Sequence, residues 1–123
     1  MYVHNISRMT AFITKDGSEI RELLGQSNSW VRNQSLAEAR LPPGGQTTPH
    51  HHLKTEEIYF ILAGQASMRV GQETADVGPD DAIAIPPGAS HQIINTGDDV
   101  LRFLCCCAPR YQHEDTILEG EGT

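Results

Sequence analysis

The sequence has no apolar run approaching the roughly 20 residues that span a bilayer, so no membrane span is expected. It is short of positive charge. Nine Lys and Arg stand against 16 Asp and Glu, for a formal net charge of -7. That balance disfavours nucleic acid and anionic membranes as partners. The spaced cysteine pairs of a disulfide framework are missing, because Cys105, Cys106 and Cys107 are consecutive. Met1-Tyr2-Val3-His4-Asn5 has neither the basic nor the apolar region of a signal peptide, and a cytoplasmic protein is expected. No internal repeat, low-complexity linker or helix-turn-helix segment is present.

What is there fits one globular domain. At 123 residues the chain can build one core but not two, and its 38% hydrophobic content suits a soluble fold. Gly and Pro recur at short intervals with apolar or β-branched runs between them, the pattern of an antiparallel sandwich or barrel. Expected strands are Ser35–Leu41, Ile58–Leu62, Ala66–Val70, Thr74–Val77, Ala82–Ile85, His91–Asn95 and Val100–Cys107. The segment from Ser18 to Gly25 has a serine start and a glycine stop and reads as a short helix or a turn. The acidic, Gly-rich tail from Gln112 is expected to end in disorder. Trp30, the sole tryptophan, is expected to anchor the N-terminal segment. Arg69 and Arg102 are expected on solvated faces.

The chemistry lies in two segments: Pro49-His50-His51-His52-Leu53-Lys54-Thr55-Glu56-Glu57 and Pro86-Pro87-Gly88-Ala89-Ser90-His91. Residues two apart on a strand point the same way. His50 and His52 therefore share a side and His51 faces the other. Glu57, Tyr59 and Ile61 share a face of the next strand, and His91 comes from a third. By the same parity Gln46 and Thr48 are expected in the cavity with His50, and Ile61, Met68 and Ile93 supply an apolar lining. Tyr59 is the candidate catalytic residue, as a hydrogen-bond donor or acid/base near the site, beside the plain alternative of a core aromatic. Cys105 and Cys107 share a face. They read as buried thiols, with a thiol facing the site or a redox sensor as the alternative. His113, in His113-Glu114-Asp115, is expected at the surface or in a cap.

The segment from Gly44 through His50, His52 and Glu57 to Gly64 resembles the first motif of the cupin superfamily. Pro86, Gly88, His91 and Asn95 resemble the second. The resemblance implies an all-β fold, a double-stranded β-helix or jelly-roll barrel. It implies one domain over 1–123, with a barrel core at about 34–109, an N-terminal strand extension over 1–33 and a tail over 110–123. It further implies that His50, His52, Glu57 and His91 bind one divalent metal. Three imidazoles and a carboxylate suit Fe, Mn, Zn, Ni, Co or Cu. The second motif departs from the pattern at Asp80, where a glycine is usual. This change is expected to touch backbone geometry, not ligation.

Members of the superfamily that resemble this chain act on small organic molecules. The expected function is a metal-dependent enzyme, with dioxygenase chemistry first and isomerase or epimerase chemistry close behind. The alternative is a non-catalytic metal- or ligand-binding, sensory cupin. Val100–Cys107 is apolar on both faces apart from Arg102, and such a strand is covered on both sides. The N-terminal segment or a second subunit has to cover the outer face, and a homodimer is expected.

Overall fold

Alternation of burial with period two decides the architecture. In the strand Glu56–Ala63, Glu57, Tyr59 and Ile61 are buried while Glu56 and Ile58 are exposed. The computed structural model describes residues 1–120. Their strands are β1 (Phe12–Ile13), β2 (Glu19–Leu24), β3 (Ser35–Leu41), β4 (His50–His52), β5 (Glu56–Ala63), β6 (Ala66–Val70), β7 (Glu73–Val77), β8 (Ala82–Ile85), β9 (His91–Asn95), β10 (Leu101–Ala108) and β11 (Thr116–Leu118). They form a six-stranded sheet ordered β1-β2-β3-β10-β5-β8 and a five-stranded sheet ordered β11-β4-β9-β6-β7. Every strand pair is antiparallel. The fold is thus the all-β, two-sheet barrel expected. Among the described residues, no helix is long and apolar enough to cross a membrane.

The inner faces of the two sheets make one core. Ile61, Met68, Ile93, Leu101 and Phe103 are at most 2% exposed within it. Each such side chain contributes up to about 1.5–3 kcal/mol on burial.

Several expectations are corrected. Residues 19–24 are strand β2, not a helix or turn, because antiparallel pairing with β3 over Glu19–Leu24 overrides their helix propensity. The tail from Gln112 contributes β11, which pairs with β4. Its last residues, expected to be disordered, include 121–123, which lie outside the described residues. Trp30 is 70% exposed and anchors nothing; its neighbour Ser29 is buried instead and donates to the Gly25 carbonyl at 2.7 Å. Arg102 reaches solvent from the outer face and is ion-paired there. It donates to Glu38 Oε2 at 2.8 Å, while Arg40 donates to Oε1 at 2.6 Å, so two guanidiniums flank a fully buried carboxylate. The N-terminal segment extends the large sheet at its β3 edge, so Leu104 and Cys106 on the outer face of β10 stay half-buried.

Asp80 has φ 73, and among the described residues it is the single non-glycine with positive φ. Its N–H donates to the Ile61 carbonyl at 2.9 Å, and the Ile61 N–H donates to the Asp81 carbonyl at 2.9 Å. The departure from glycine therefore falls where the turn demands a left-handed residue, and aspartate is among the side chains that tolerate it.

Candidate metal centre

His50 and His52 sit at the two ends of β4, buried, with half-buried His51 between them and opposite Ile117. His50 is the register partner of His91 on β9, which sets their rings 4.2 Å apart between centroids. The Pro86-Pro87-Gly88 turn before β9 is tied back to β4, because the Gly88 N–H donates to the His52 carbonyl at 2.7 Å. Gly88 has φ 82, so a residue without Cβ serves this turn. Glu57 comes from β5 of the other sheet. The site thus joins the two layers: three imidazoles from one, a carboxylate from the other.

The three histidines can place one ligand nitrogen each within 4.8 Å of one another, all buried. Each Nδ1 is held. His50 Nδ1–H donates to the Thr48 carbonyl at 2.7 Å and His91 Nδ1–H to the Ala89 carbonyl at 3.0 Å. His52 Nδ1 lies 3.1 Å from Thr116 Oγ1, whose proton goes to the Gln112 carbonyl at 3.2 Å, so the imidazole donates here too. A histidine fixed in this tautomer presents the Nε2 lone pair, as metal-ligating histidines do.

Those lone pairs meet no proton donor. His91 Nε2 is buried without a hydrogen-bond partner. Glu57 Oε1 lies 3.1 Å from His52 Nε2 and 3.6 Å from His91 Nε2, an acceptor facing acceptors. A cation between them removes the conflict, and the donor set fits a divalent transition metal. Burial alone would raise the Glu57 pKa; in the metal-free site, protons on His52 and His91 that point at Glu57 in place of the ion outweigh burial and lower it to about 2. Burial, joined by the neighbouring His91, lowers the His50 pKa and favours its neutral, ligating form.

Beside the triad is a cavity of about 50 Å³. This is far below the roughly 300–1,000 Å³ of drug-sized ligand pockets. At that size it has room for an ion and a ligand of a few heavy atoms. Tyr59 lines it, 5.9 Å from the His91 ring and 4.7 Å from that of Phe103. Burial raises the Tyr59 pKa well above its ordinary range, so the phenol is a proton donor at neutral pH, not a base.

The other expected pocket residues lie elsewhere. Gln46 and Thr48 are exposed and Thr47 is buried. Gln46 makes only an isolated bridge to Ile94, and strand β4 begins at His50, so parity does not carry back across Pro49. Ile61, Met68 and Ile93 pack in the core and do not line the cavity. Neither Arg69 nor Arg102 lines it.

The wall is built instead from the N-terminal segment, where Phe12, Thr14, Asp16, Ser18, Ile20 and Glu22 all face the cavity. That period-two run is visible in the sequence, although only residues 12–13 and 19–24 of it are strand. Asp16 Oδ2 comes within 3.4 Å of His50 Nε2. Tyr111 also lines the cavity, edge-on to His52 at 6.1 Å.

The cysteines split as strand parity requires. Cys105 and Cys107 are buried and line the cavity, and Cys106 is half-buried. The Cys107 thiol donates to Glu57 Oε2 at 3.2 Å. Burial, then the Glu57 charge, pushes the Cys107 pKa far up, so this is a neutral thiol beside the site and not a thiolate. His113 is exposed, and among the described residues it belongs to no further metal-ligating group. Its neighbour Asp115 is buried and accepts from the Lys54 N–H at 3.0 Å and the Thr55 N–H at 3.2 Å, which fixes the turn between β4 and β5.

Comparison with known proteins agrees with this architecture. The family model for the cupin domain matches residues 37–107. An uncharacterized protein of Methanocaldococcus jannaschii is 48% identical over 91% of this chain and 90% of its own length. An oxalate-binding protein of Thermotoga maritima is 31% identical over 70% of this chain and 71% of its own. The crystal structure of a predicted oxalate decarboxylase from Thermotoga maritima superposes with a TM-score of 0.78 at 28% identity. It covers 88% of this chain and 99% of that one.

Proposed function

The chain belongs to the cupin family, and from that membership we propose that it is a mononuclear metal protein acting on a small organic molecule. His50, His52, His91 and Glu57 hold the ion. The observation that carries this reading is His91 Nε2, a buried lone pair with no partner, inside a set of imidazoles whose Nδ1 atoms are all engaged elsewhere. The ion is a divalent Fe, Mn, Zn, Ni, Co or Cu, selected by cellular supply. When bound, it acts as a Lewis acid on an oxygen or nitrogen of the ligand.

The chain's own residues set the rest. Tyr59 donates a hydrogen bond to a ligand at the ion. Phe12, Ile20 and Phe103 give the cavity apolar lining. Dioxygenase chemistry heads the candidate reactions because the lining is largely apolar, and isomerase or epimerase chemistry comes next. Isothermal titration of chelator-stripped protein with Mn²⁺, Zn²⁺ or Co²⁺ tests the reading. One ion per chain is expected, and no heat with any of the three contradicts it.

A second reading is favoured by the similarity to an oxalate-binding protein: a cupin that binds its ligand without turnover. Metal-loaded protein that binds a small ligand and returns it unchanged distinguishes the two. We further propose a homodimer formed through the half-covered outer face of β10; a monomer by light scattering at micromolar concentration contradicts it. The three free thiols suit a reducing compartment such as the cytoplasm.

A further inference from the structure

Asp16 stands outside the motif residues, on a turn between β1 and β2, yet it reaches the imidazole cluster. We propose that Asp16 is a fifth protein donor to the ion, contributed by the N-terminal segment and approaching from the His50 side, where Glu57 approaches from the side of His52 and His91. The proposal rests on the metal reading above.

Three observations carry it. First, Asp16 is oriented. Its Oδ1 accepts from Thr14 Oγ1 at 2.7 Å, from the Ser18 N–H at 2.9 Å and from Ser18 Oγ at 2.7 Å. With three donors on one oxygen, Oδ2 is left turned toward His50 Nε2 at 3.4 Å.

Second, the turn that carries it is clamped to the site. The Thr48 N–H donates to the Asp16 carbonyl at 2.7 Å, and Lys15 Nζ donates to the Thr116 carbonyl at 2.8 Å. Thr48 and Thr116 are the residues that hold His50 and His52 by their Nδ1 atoms.

Third, His50 Nδ1–H is already given to Thr48, so its Nε2 offers a lone pair to Asp16 Oδ2. That is the same acceptor-to-acceptor approach as between Glu57 and His52. The ligand atoms that all lie within 4.8 Å of one another are those of the three histidines, and one cation there answers both conflicts once the two carboxylates draw in toward it. Glu57 meets the cluster from the His52 and His91 side, and Asp16 meets it at His50.

The consequence is a choice of ligand. Three neutral imidazoles and two carboxylates on a dication sum to no net charge. Five protein donors leave one position of an octahedral ion. No Lys or Arg lines the cavity. The site then takes a small, uncharged ligand through one atom, and a chelating dicarboxylate finds neither a second open position nor a positive field.

The test uses Co²⁺ as probe on chelator-stripped full-length parent, Asp16→Asn and His52→Ala, read by isothermal titration and by visible d–d absorption. Asn keeps an oxygen for Thr14 and Ser18 while removing the charge. The expected result is a Kd raised about tenfold or more in Asp16→Asn, at least what loss of an outer-sphere partner costs, with an altered d–d spectrum. Equal Kd values with superimposable spectra overturn the proposal. Should the variant fail to fold, crystals of the zinc-loaded parent decide: an Asp16 oxygen about 2.0–2.2 Å from zinc supports the proposal, and a separation beyond about 3 Å overturns it. A parent that binds no Co²⁺, with His52→Ala indistinguishable from it, defeats the metal reading itself. That pattern is distinct from a parent that binds and is indifferent to Asp16.

Discussion

The Cys107 thiol donates to Glu57 Oε2, and this leaves Oε1 as the oxygen turned toward His52 and His91. The two residues are register partners on β10 and β5, so the hydrogen bond is built into the sheet. Cys107→Ala leaves a buried carboxylate oxygen without its donor and frees the carboxylate to rotate. Metal affinity is expected to fall by up to about tenfold, the low end for loss of an outer-sphere partner. Cys107→Ser, which keeps an O–H donor, is expected to recover most of it. Titration calorimetry of the two variants checks this; equal affinities for parent and Cys107→Ala contradict it.

Thr116 fixes the tautomer of His52 from β11, the short strand at the end of the described chain. Thr116→Val preserves shape and removes the acceptor. The expected effect is a loss of about 10–100-fold in metal affinity, with the metal-free melting temperature shifted by only a few degrees. An unchanged affinity in Thr116→Val shows that His52 is oriented by something else.

Acid acts on the metal-free protein through His50 first. Its pKa in the fold lies below the ordinary 6.5, so the unfolded chain takes up this proton more readily. The stability linked to neutral His50 is present above pH 6.5 and is lost as pH falls below it toward the folded-state value. Glu57 follows: its contribution is complete above the ordinary 4.5 and disappears as pH falls toward about 2. In the loaded protein the ion is released over the histidine range, because only neutral imidazole ligates. Melting temperatures of chelator-stripped protein from pH 8 to pH 5 are expected to decline below 6.5. A flat profile contradicts the assignment of His50 as buried and neutral, and metal retained at pH 4 argues against three imidazole ligands.

Glu38 is fully buried on the outer face of the large sheet, with Arg40 and Arg102 on either oxygen. Burial raises its pKa, but the two arginines prevail and the net shift is downward. Glu38→Ala leaves two guanidiniums beside an apolar gap. Both arginines reach solvent, so the cost is expected at about 2 kcal/mol, below the roughly 3–5 of a fully buried pair. Chemical denaturation measures it, and a change under about 0.5 kcal/mol contradicts a structural role.

The strand-by-strand pattern made much of the fold legible. Glu57, Tyr59 and Ile61 fall on one face of β5 because that strand is regular and pairs on both sides. Asp80 was legible as a backbone departure because only a left-handed turn makes glycine necessary there. Two things were not legible. Parity failed at Gln46 and Thr48, where the chain is not continuous strand and the buried residue is Thr47. The N-terminal wall was missed because β2 owes its conformation to pairing with β3, which local propensity does not encode. Its contribution of Asp16 to the site is a tertiary fact, although the alternation from Phe12 to Glu22 gave a signal of it.

The central claim is that one ion sits among His50, His52, His91 and Glu57. Elemental analysis of protein purified without added metal, alongside His52→Ala, tests it most directly. Close to one equivalent of a divalent transition metal in the parent, and a marked loss in the variant, is the predicted result. A stoichiometry well below one in the parent, unchanged in His52→Ala, contradicts it.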